Sequence, residues 1–524
     1  MIKASLAILN ANIITLNPKN PQAEAVAILN RKIIAVGSNK EISKYTNKKT
    51  KIVDTRGRAV LPGFTDCHVH MAGFGRLLQT LELRNAKSIK ELQLKMRKYA
   101  SENLEKKWIL GGRWDQEKFA EKRYPTRWDL DKAVADKPVF LIRVCGHLGV
   151  ANSKALQLAG IKKRTSVEGG KVDLDEESGE PNGILRENAM ELVWKNISKP
   201  SLKELEETCA LACRKAVETG LTCVHWMVDS AEEVRALRRL NNKRRLPLRV
   251  YLGIPVDLLD EITDLKQLAD SENGKLRVGF IKILADGSLG AHTAALEKPY
   301  SDKPENKGIM LYPQKTLLKL VLRAHEKGLQ LAVHAIGDRA IDNVLKAFEN
   351  ALKKHPQTAH RHRIEHCSIL NMKLIRRMKR LKLVASVQPH FAVSDFWVKN
   401  RVGEDRIRYV YLFKTLIDEG LVVVSGSDCP VEPIDPLLGI WAAATKKKFT
   451  NENLTTEEAV KTYTVNAAYA SFDEKNRGTI DIGKLADLTI ISDDPNKIPT
   501  ERIKNINVEA VVVDGKMVYR RKTF

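Results

Sequence analysis

No stretch of this chain approaches the roughly 18 consecutive apolar residues that a membrane-spanning helix needs, so a helical membrane protein is excluded. Cysteine is sparse and carries no pairing pattern. Cys67, Cys145, Cys209, Cys213, Cys223, Cys367 and Cys429 form neither a C-x-x-C motif nor a disulfide-like framework. An odd seven cysteines in 524 residues fits a reducing compartment, and the three beside Asp66, His366 and Asp428 read as small buried hydrophobes. The first ten residues hold only a short apolar run and no small-residue cleavage site, and Asn12-Ile13-Ile14-Thr15-Leu16 reads as a strand. A secretory leader is therefore not expected, and the cytoplasm is. There is no G-x-S-x-G elbow, no P-loop and no G-x-G-x-x-G in a strand-to-helix setting, which removes three large enzyme classes.

Acidic residues are in deficit: 88 Lys and Arg face 64 Asp and Glu, a formal charge of +24. The basic clusters, among them Lys243-Arg244-Arg245 and Lys446-Lys447-Lys448, are scattered and not interleaved with aromatics, which make up 6% of the chain. None accompanies a nucleic-acid-binding motif, so solvated helix faces are expected, with a small-molecule substrate as partner and neither nucleic acid nor membrane. A homodimer is the default for the oligomeric state.

What the chain does have is a set of apolar, β-branched runs, each ending in a residue able to hold a metal ion. They are Asp66-Cys67-His68-Val69-His70, Ile281-Lys282 with Ala285-Asp286-Gly287, Val333-His334, Glu365-His366 and Gly426-Ser427-Asp428. Such runs read as buried parallel strands. Groups so distant in sequence meet in one place if the strands close into a (β/α)₈ barrel, whose C-terminal mouth carries the chemistry. Barrel strands are expected at about residues 59–70, 222–227, 248–254, 278–286, 329–334, 362–366, 383–388 and 421–428. Short strands near both termini, too few for a stable sheet at either end, are expected to pair into one small β-sandwich. The expected division is 1–60 (sandwich, first part), 61–84 (first barrel strand), 85–204 (insertion), 205–474 (rest of the barrel) and 475–524 (sandwich, second part). The interval after His70 is far longer than one strand–helix unit needs. It is read as a loop-rich insertion over the barrel mouth that sets substrate choice.

His68 and His70 lie two apart and share one face of a strand. Alone, an H-x-H is more often a structural or surface pair than a metal site; the buried run before it favours metal ligation. Asp428 alone could start a turn before Pro430. Lys282 could make ordinary structural contacts.

The run Val60-Leu61-Pro62-Gly63-Phe64-Thr65-Asp66-Cys67-His68-Val69-His70 resembles the first-strand signature of the amidohydrolase superfamily. The closer likeness is to amidohydrolase family 3, the branch containing N-substituted formamide deformylases. Gly111-Gly112-Arg113-Trp114-Asp115-Gln116, Gly146-His147 with Asn152-Ser153-Lys154, Lys282 with Ala285-Asp286-Gly287, His334-Ala335-Ile336-Gly337-Asp338 and Gly426-Ser427-Asp428 match in order and spacing. The resemblance implies two divalent metals, commonly zinc, bridged by a hydroxide. His68, His70 and Asp428 would hold the more buried ion, and His334 and His366 the more exposed one. Lys282 would bridge them as a carbamate formed with carbon dioxide. An unmodified ammonium would be repelled by two dications and has no acceptor lone pair, which agrees with that modification. Asp428 would shuttle the proton to the departing nitrogen.

The expected activity is hydrolysis of a C–N bond in an amide, formamide or cyclic ureide. The alternatives are a lactone or ester hydrolase using the same site, and a non-catalytic regulatory protein on the same scaffold. Substrate contacts are expected from Trp114, Asp115, His147, Asn152, His225, His292 and His390, with Glu187 nearby. For His147, His225 and His390, structural hydrogen bonding is an equal reading. His292 stands where an arginine is expected in relatives. His325, His355, His360 and His362 read as surface or structural.

Overall fold

Alternation of β-branched runs with amphipathic helical stretches builds a ring of eight parallel strands in the computed structural model. The model describes residues 2–143, 148–168, 170–270, 274–445 and 451–524. In chain order the strands are β1 (Phe64–Val69), β2 (Leu221–Met227), β3 (Arg249–Pro255), β4 (Leu276–Leu284), β5 (Gln330–Ala335), β6 (Arg363–His366), β7 (Val384–Val387) and β8 (Val422–Ser425). Each pairs in parallel with its sequence neighbour. The ring closes just beyond β8, where the Asp428 N–H donates to the His68 carbonyl (2.7 Å) and the His70 N–H to the Cys429 carbonyl (2.8 Å). This is a (β/α)₈ barrel. Helices such as Gln314–Glu326 and Asp338–Lys354 follow the strands and bury one apolar face, Ile341, Val344, Leu345 and Phe348 in the second case.

The expected first strand, residues 59–70, is in fact two. Ala59–Pro62 pairs antiparallel with Leu488–Ile491 in the sandwich, and the barrel begins at Phe64. Gly63 is the joint: a Cβ there would sit 2.2 Å from the Thr222 side chain, so only glycine lets the chain cross from one sheet to the other. Both chain ends meet in the sandwich. A four-stranded sheet built from Leu6–Leu9, Ala25–Leu29, Lys32–Gly37 and Lys51–Asp54 shares a core with a six-stranded sheet that includes Asn12–Ile14, Ala59–Pro62 and Val508–Val513. Ile8, Val26 and Ile28 from one sheet pack with Ile13, Val60, Leu488, Ile490 and Val512 from the other. Beneath the barrel, Arg249 is buried against Asp487 (2.6 Å) and Asp514, both near the C-terminal end of the chain.

Residues Gly75–Glu204 form a second compact unit. The loop-rich middle expected there is instead a six-stranded mixed sheet, ordered Gly170–Leu174, Pro181–Glu187, Leu148–Ala151, Val139–Arg143, Ile109–Trp114 and Leu81–Glu82. Leu92, Met96, Trp114, Phe119, Leu141 and Val150 fill its core. Its strands are short and broken by glycines and charged residues, so neither a period-two nor a period-3.6 pattern persists.

Candidate active site

The barrel brings six residues to the C-terminal ends of its strands. His68 and His70 end β1, Lys282 lies near the end of β4, and His334 and His366 are at the ends of β5 and β6. Asp428 lies three residues beyond β8. The Asp428 Oδ1 is 3.3 Å from His70 Nε2 and 3.5 Å from His68 Nε2, and ligand atoms of these three residues lie within 4.8 Å of one another. Lys282 Nζ is 3.4 Å from His68 Nε2. The His366 ring centroid is 4.9 Å from that of His68 and 4.4 Å from that of His334. All six line one cavity of about 500 Å³.

The hydrogen bonds at the back of the imidazoles assign their tautomers. His68 Nδ1–H donates to Glu365 Oε2 (2.5 Å), and His366 Nδ1–H to Gln388 Oε1 (2.6 Å). His334 Nε2–H donates to the Gly287 carbonyl (3.0 Å). Each ring therefore keeps one lone pair for a metal, the arrangement in which a ligating histidine is oriented by its other nitrogen. With a carboxylate and a fourth imidazole beside them, this donor set fits one or two borderline divalent cations.

Some of the chain's left-handed backbone positions fall at the same place. Asp428 (φ 57°), His366 (φ 75°) and Cys367 (φ 51°) all occupy the left-handed region, disfavoured for side chains with a Cβ. At His366 the twist has a purpose. Arg363 and Glu365 share the inward face of β6, so regular alternation would point His366 outward. Gly426 allows the closest approach of the chain ends, since a Cβ there would lie 2.5 Å from the His68 nitrogen.

Below the cavity floor lies a polar network that the sequence reading left unassigned. Arg363 and Glu365 are fully buried and paired, with Nε donating to Oε1 at 2.7 Å. Arg363 also donates to the Cys67 carbonyl (2.7 Å) and to Ser386 Oγ (3.2 Å), lies 2.9 Å from His225 Nδ1, and stacks over Phe280 at 4.7 Å. The signal was present in the sequence as Arg363-x-Glu365 on a short strand: two opposite charges on one face. Asp66 is a second such group. It accepts from the N–H groups of His68 and Ser427 (3.0 Å each) and from Ser427 Oγ (2.5 Å), tying the first strand to the last. A third is Asp286, which accepts from the N–H groups of Ala295, Ile336 and Gly337 and fixes the loops after β4 and β5.

Burial dominates the site's electrostatics. Removal from water pushes Lys282 down to about 8 and, with Lys282 beside it, His68 down to about 4. For Asp428 burial works in the opposite direction, but the hydrogen bond from His70 and the charges of His68 and His366 outweigh it and hold the carboxyl well below its usual range.

The expected substrate contacts fare differently. Trp114 is fully buried in the core of the second unit, its Nε1–H donating to the Leu141 carbonyl. Asn152 is fully buried too, bonded to the backbone of Val134, Lys137, Val139 and Ala155, and caps a helix. Both are corrected to structural roles, because neither presents a free polar atom. Asp115 caps the short helix Gln116–Lys118 and pairs with Arg143 at 3.1 Å. His225 is buried among Arg363, Tyr251 and Phe280 inside the barrel and is corrected from a substrate contact to part of the network below the floor. His292 and His390 are held by Asp302 (3.1 Å) and Glu432 (2.5 Å), and Glu187 is exposed. His147 lies outside the described residues. Instead, the cavity walls are Leu284, Leu289, Ile336, Phe391, Trp397, Tyr411 and Val431, with Asp395 among them. None of these is among the expected substrate contacts, because apolar side chains carry no chemical signature in one sequence and Asp395 lies in no recognisable motif.

A barrel with histidines on its first, fifth and sixth strands, a lysine on the fourth and an aspartate after the eighth defines a class of hydrolytic metal sites. Residues 51–519 match the amidohydrolase family, and the chain belongs to it. It is 34% identical to YtcJ of Bacillus subtilis strain 168, an amidohydrolase by name, over 97% of this chain and 98% of that one. It is 27% identical to the N-substituted formamide deformylase of Arthrobacter pascens, over 98% of both chains. Among solved structures, an uncharacterized metal-dependent hydrolase from Pyrococcus furiosus is 33% identical and superimposes with a TM-score of 0.80, covering 94% of this chain and all of that one.

Proposed function

We propose that this chain is a metal-dependent hydrolase that cleaves the C–N bond of an amide, formamide or cyclic ureide. The observation that carries the reading is the convergence of His68, His70, Lys282, His334, His366 and Asp428 on one cavity floor, with the lone pairs of three imidazoles set by their partners. His68, His70 and Asp428 would hold one divalent ion, zinc by preference, and His334 and His366 a second. When bound, such ions acidify water and polarise a carbonyl. Lys282, brought down to about 8 by burial, has a substantial neutral fraction near neutral pH. With carbon dioxide that free amine would form a carbamate and release a proton, giving an anionic side chain suited to a metal-rich site. Asp428 accepts a proton at Oδ1, beside His70 Nε2, and passes it to the departing nitrogen. The six described cysteines are all buried and no disulfide joins them, which supports a reducing, cytoplasmic setting. No helix among the described residues is long and apolar enough to cross a membrane.

The test is elemental analysis of the purified protein, then reconstitution with zinc and bicarbonate and a screen of formamides, amides, hydantoins and lactones. Turnover of C–N substrates is expected, and Asp428→Asn should lower it by about 10²–10⁴-fold with the fold intact. A preference for lactones would move the reading to the ester class. Metal-free protein with no hydrolysis after reconstitution, or undiminished turnover by Asp428→Asn, would overturn it.

A further inference from the structure

The cavity above the six ligands has a distinct chemical character. Its walls are two aromatic rings, Phe391 and Trp397, the Tyr411 ring, and the aliphatic side chains of Leu284, Leu289, Ile336 and Val431. Leu284 and Val431 are 48% and 65% exposed, and Phe396, next to Trp397, is 81% exposed, so apolar surface continues toward solvent. Lys282 is the sole Lys or Arg among the lining residues, and it belongs to the floor. Among the described lining residues there is no arginine to receive an anion.

The one carboxylate in the described walls above the floor is Asp395. Its Oδ2 accepts a hydrogen bond from the Tyr411 hydroxyl, and its Oδ1 has no partner among the described residues. Among the described residues no cation forms an ion pair with it. The charge that acts on it is another acid, Glu432, itself taken up by His390 (2.5 Å) and Ser394 (2.5 Å). Burial pushes Asp395 up to about 6, opposed by the Tyr411 bond and reinforced by Glu432. Asp395 is only partly buried, so its second oxygen is open to a donor that enters the cavity, with aromatic surface around it.

We propose that Asp395 is a specificity-determining residue that receives a protonated amine or N–H group on the substrate, while the surrounding rings hold an aryl or alkyl body. The inference rests on the hydrolase reading above and narrows its substrate class to apolar compounds that are cationic or donor-bearing. Anionic substrates are disfavoured twice, by the absence of a wall cation and by the presence of Asp395. An aromatic ring also favours a cation beside it, so the walls and the carboxylate select the same charge.

The experiment uses the zinc-loaded full chain and three N-phenethylformamides differing at the para position: aminomethyl (cationic), methyl (neutral) and carboxylate (anionic). The expected kcat/KM order is cationic, then neutral, then anionic. Asp395→Asn keeps an acceptor for Tyr411. It should cost the cationic substrate about tenfold or more, as loss of a charge-assisted bond does, and change the neutral one by less than about threefold. Equal turnover of the three by the wild type, or an equal loss on all three in the variant, overturns the proposal and leaves the hydrolase reading standing.

A second arm does not depend on turnover. Calorimetric titration with 2-phenylethylamine and with 3-phenylpropanoate should show the amine bound more tightly by the wild type, with that preference lost in Asp395→Asn. If no formamide is turned over but the amine preference and its loss are seen, the pocket assignment holds and the reaction assignment fails. Failure to distinguish amine from carboxylate in both proteins overturns the pocket assignment. A melting curve for each variant, matching that of the wild type, excludes a general folding defect.

Discussion

Arg363 and Glu365 form a fully buried ion pair two residues apart on β6, directly behind the His68 ring. Replacing Glu365 with leucine strands the guanidinium, leaving it the Cys67 carbonyl, Ser386 Oγ, His225 Nδ1 and the Phe280 face. Replacing Arg363 with methionine strands the carboxylate, which keeps His68 as its neighbour. Removing one partner of a buried pair costs about 3–5 kcal/mol, because the other is left uncompensated in a low-dielectric interior. Independent effects would then sum to about 6–10 kcal/mol, whereas the double replacement leaves neither charge behind and should fall short of that sum by at least about 3 kcal/mol. Urea unfolding followed by tryptophan fluorescence reads this directly, with Trp226 buried on β2 as a reporter. The pH dependence adds a second check. Burial would raise the Glu365 carboxyl, but Arg363 and His68 override it and hold it well below its ordinary 4.5. A depressed carboxyl contributes stability that is fully present above that value and lost as pH falls below it. The difference between wild type and the Glu365→Leu variant should therefore narrow below about pH 4.5. Additivity within about 0.5 kcal/mol would refute the reasoning, since uncoupled residues are not a pair.

Gly426→Ala should be poorly tolerated, because the new Cβ would meet the His68 nitrogen at 2.5 Å and Asp66 Oδ1 at 2.8 Å. Forced backbone movement of this kind costs about 1–3 kcal/mol, and metal retention against a chelator should fall with it. A second pH effect comes from the histidines under the barrel. His362 Nδ1 accepts from the Leu331 N–H and its Nε2 bonds His325 Nδ1 (2.9 Å), while His325 Nε2–H donates to the His355 carbonyl, so the chain is satisfied with every ring neutral. Burial holds His360 down to about 4 and His362 well below 6.5. Stability from these groups is complete above about pH 6.5 and lost as pH falls toward 4, so the urea midpoint should drop across that window and rise there in His362→Gln relative to wild type. Protein prepared free of carbon dioxide should lose activity and regain it with bicarbonate, with a ¹³C carbamate signal that Lys282→Ala lacks.

Much of the barrel was legible because buried parallel strands announce themselves as β-branched runs, and ligands at their ends add a chemical mark to the hydrophobic one. Boundaries were less so. Residues 59–64 form one apolar run that leads straight into the histidine pair, and Pro62-Gly63 is the single local sign that the chain passes between two sheets there. The second unit hid its sheet behind short, glycine-broken strands. Trp114 and Asn152 misled for a different reason: a residue can belong to a family motif because it builds the scaffold, and a sequence does not separate the two uses. The pocket walls were invisible because phenylalanine, tryptophan and leucine in loops look alike whether they face a core or a ligand.

The seam between His68 and Asp428 closes the barrel and also assembles one metal position, and the two residues come from opposite ends of it. During synthesis the early histidines must wait for some 350 further residues to emerge before Asp428 can reach them. A ribosome-bound or truncated chain that ends before β8 therefore lacks Asp428 and leaves His68 and His70 without their carboxylate neighbour. The three-residue cluster is complete only with the final turn of barrel closure.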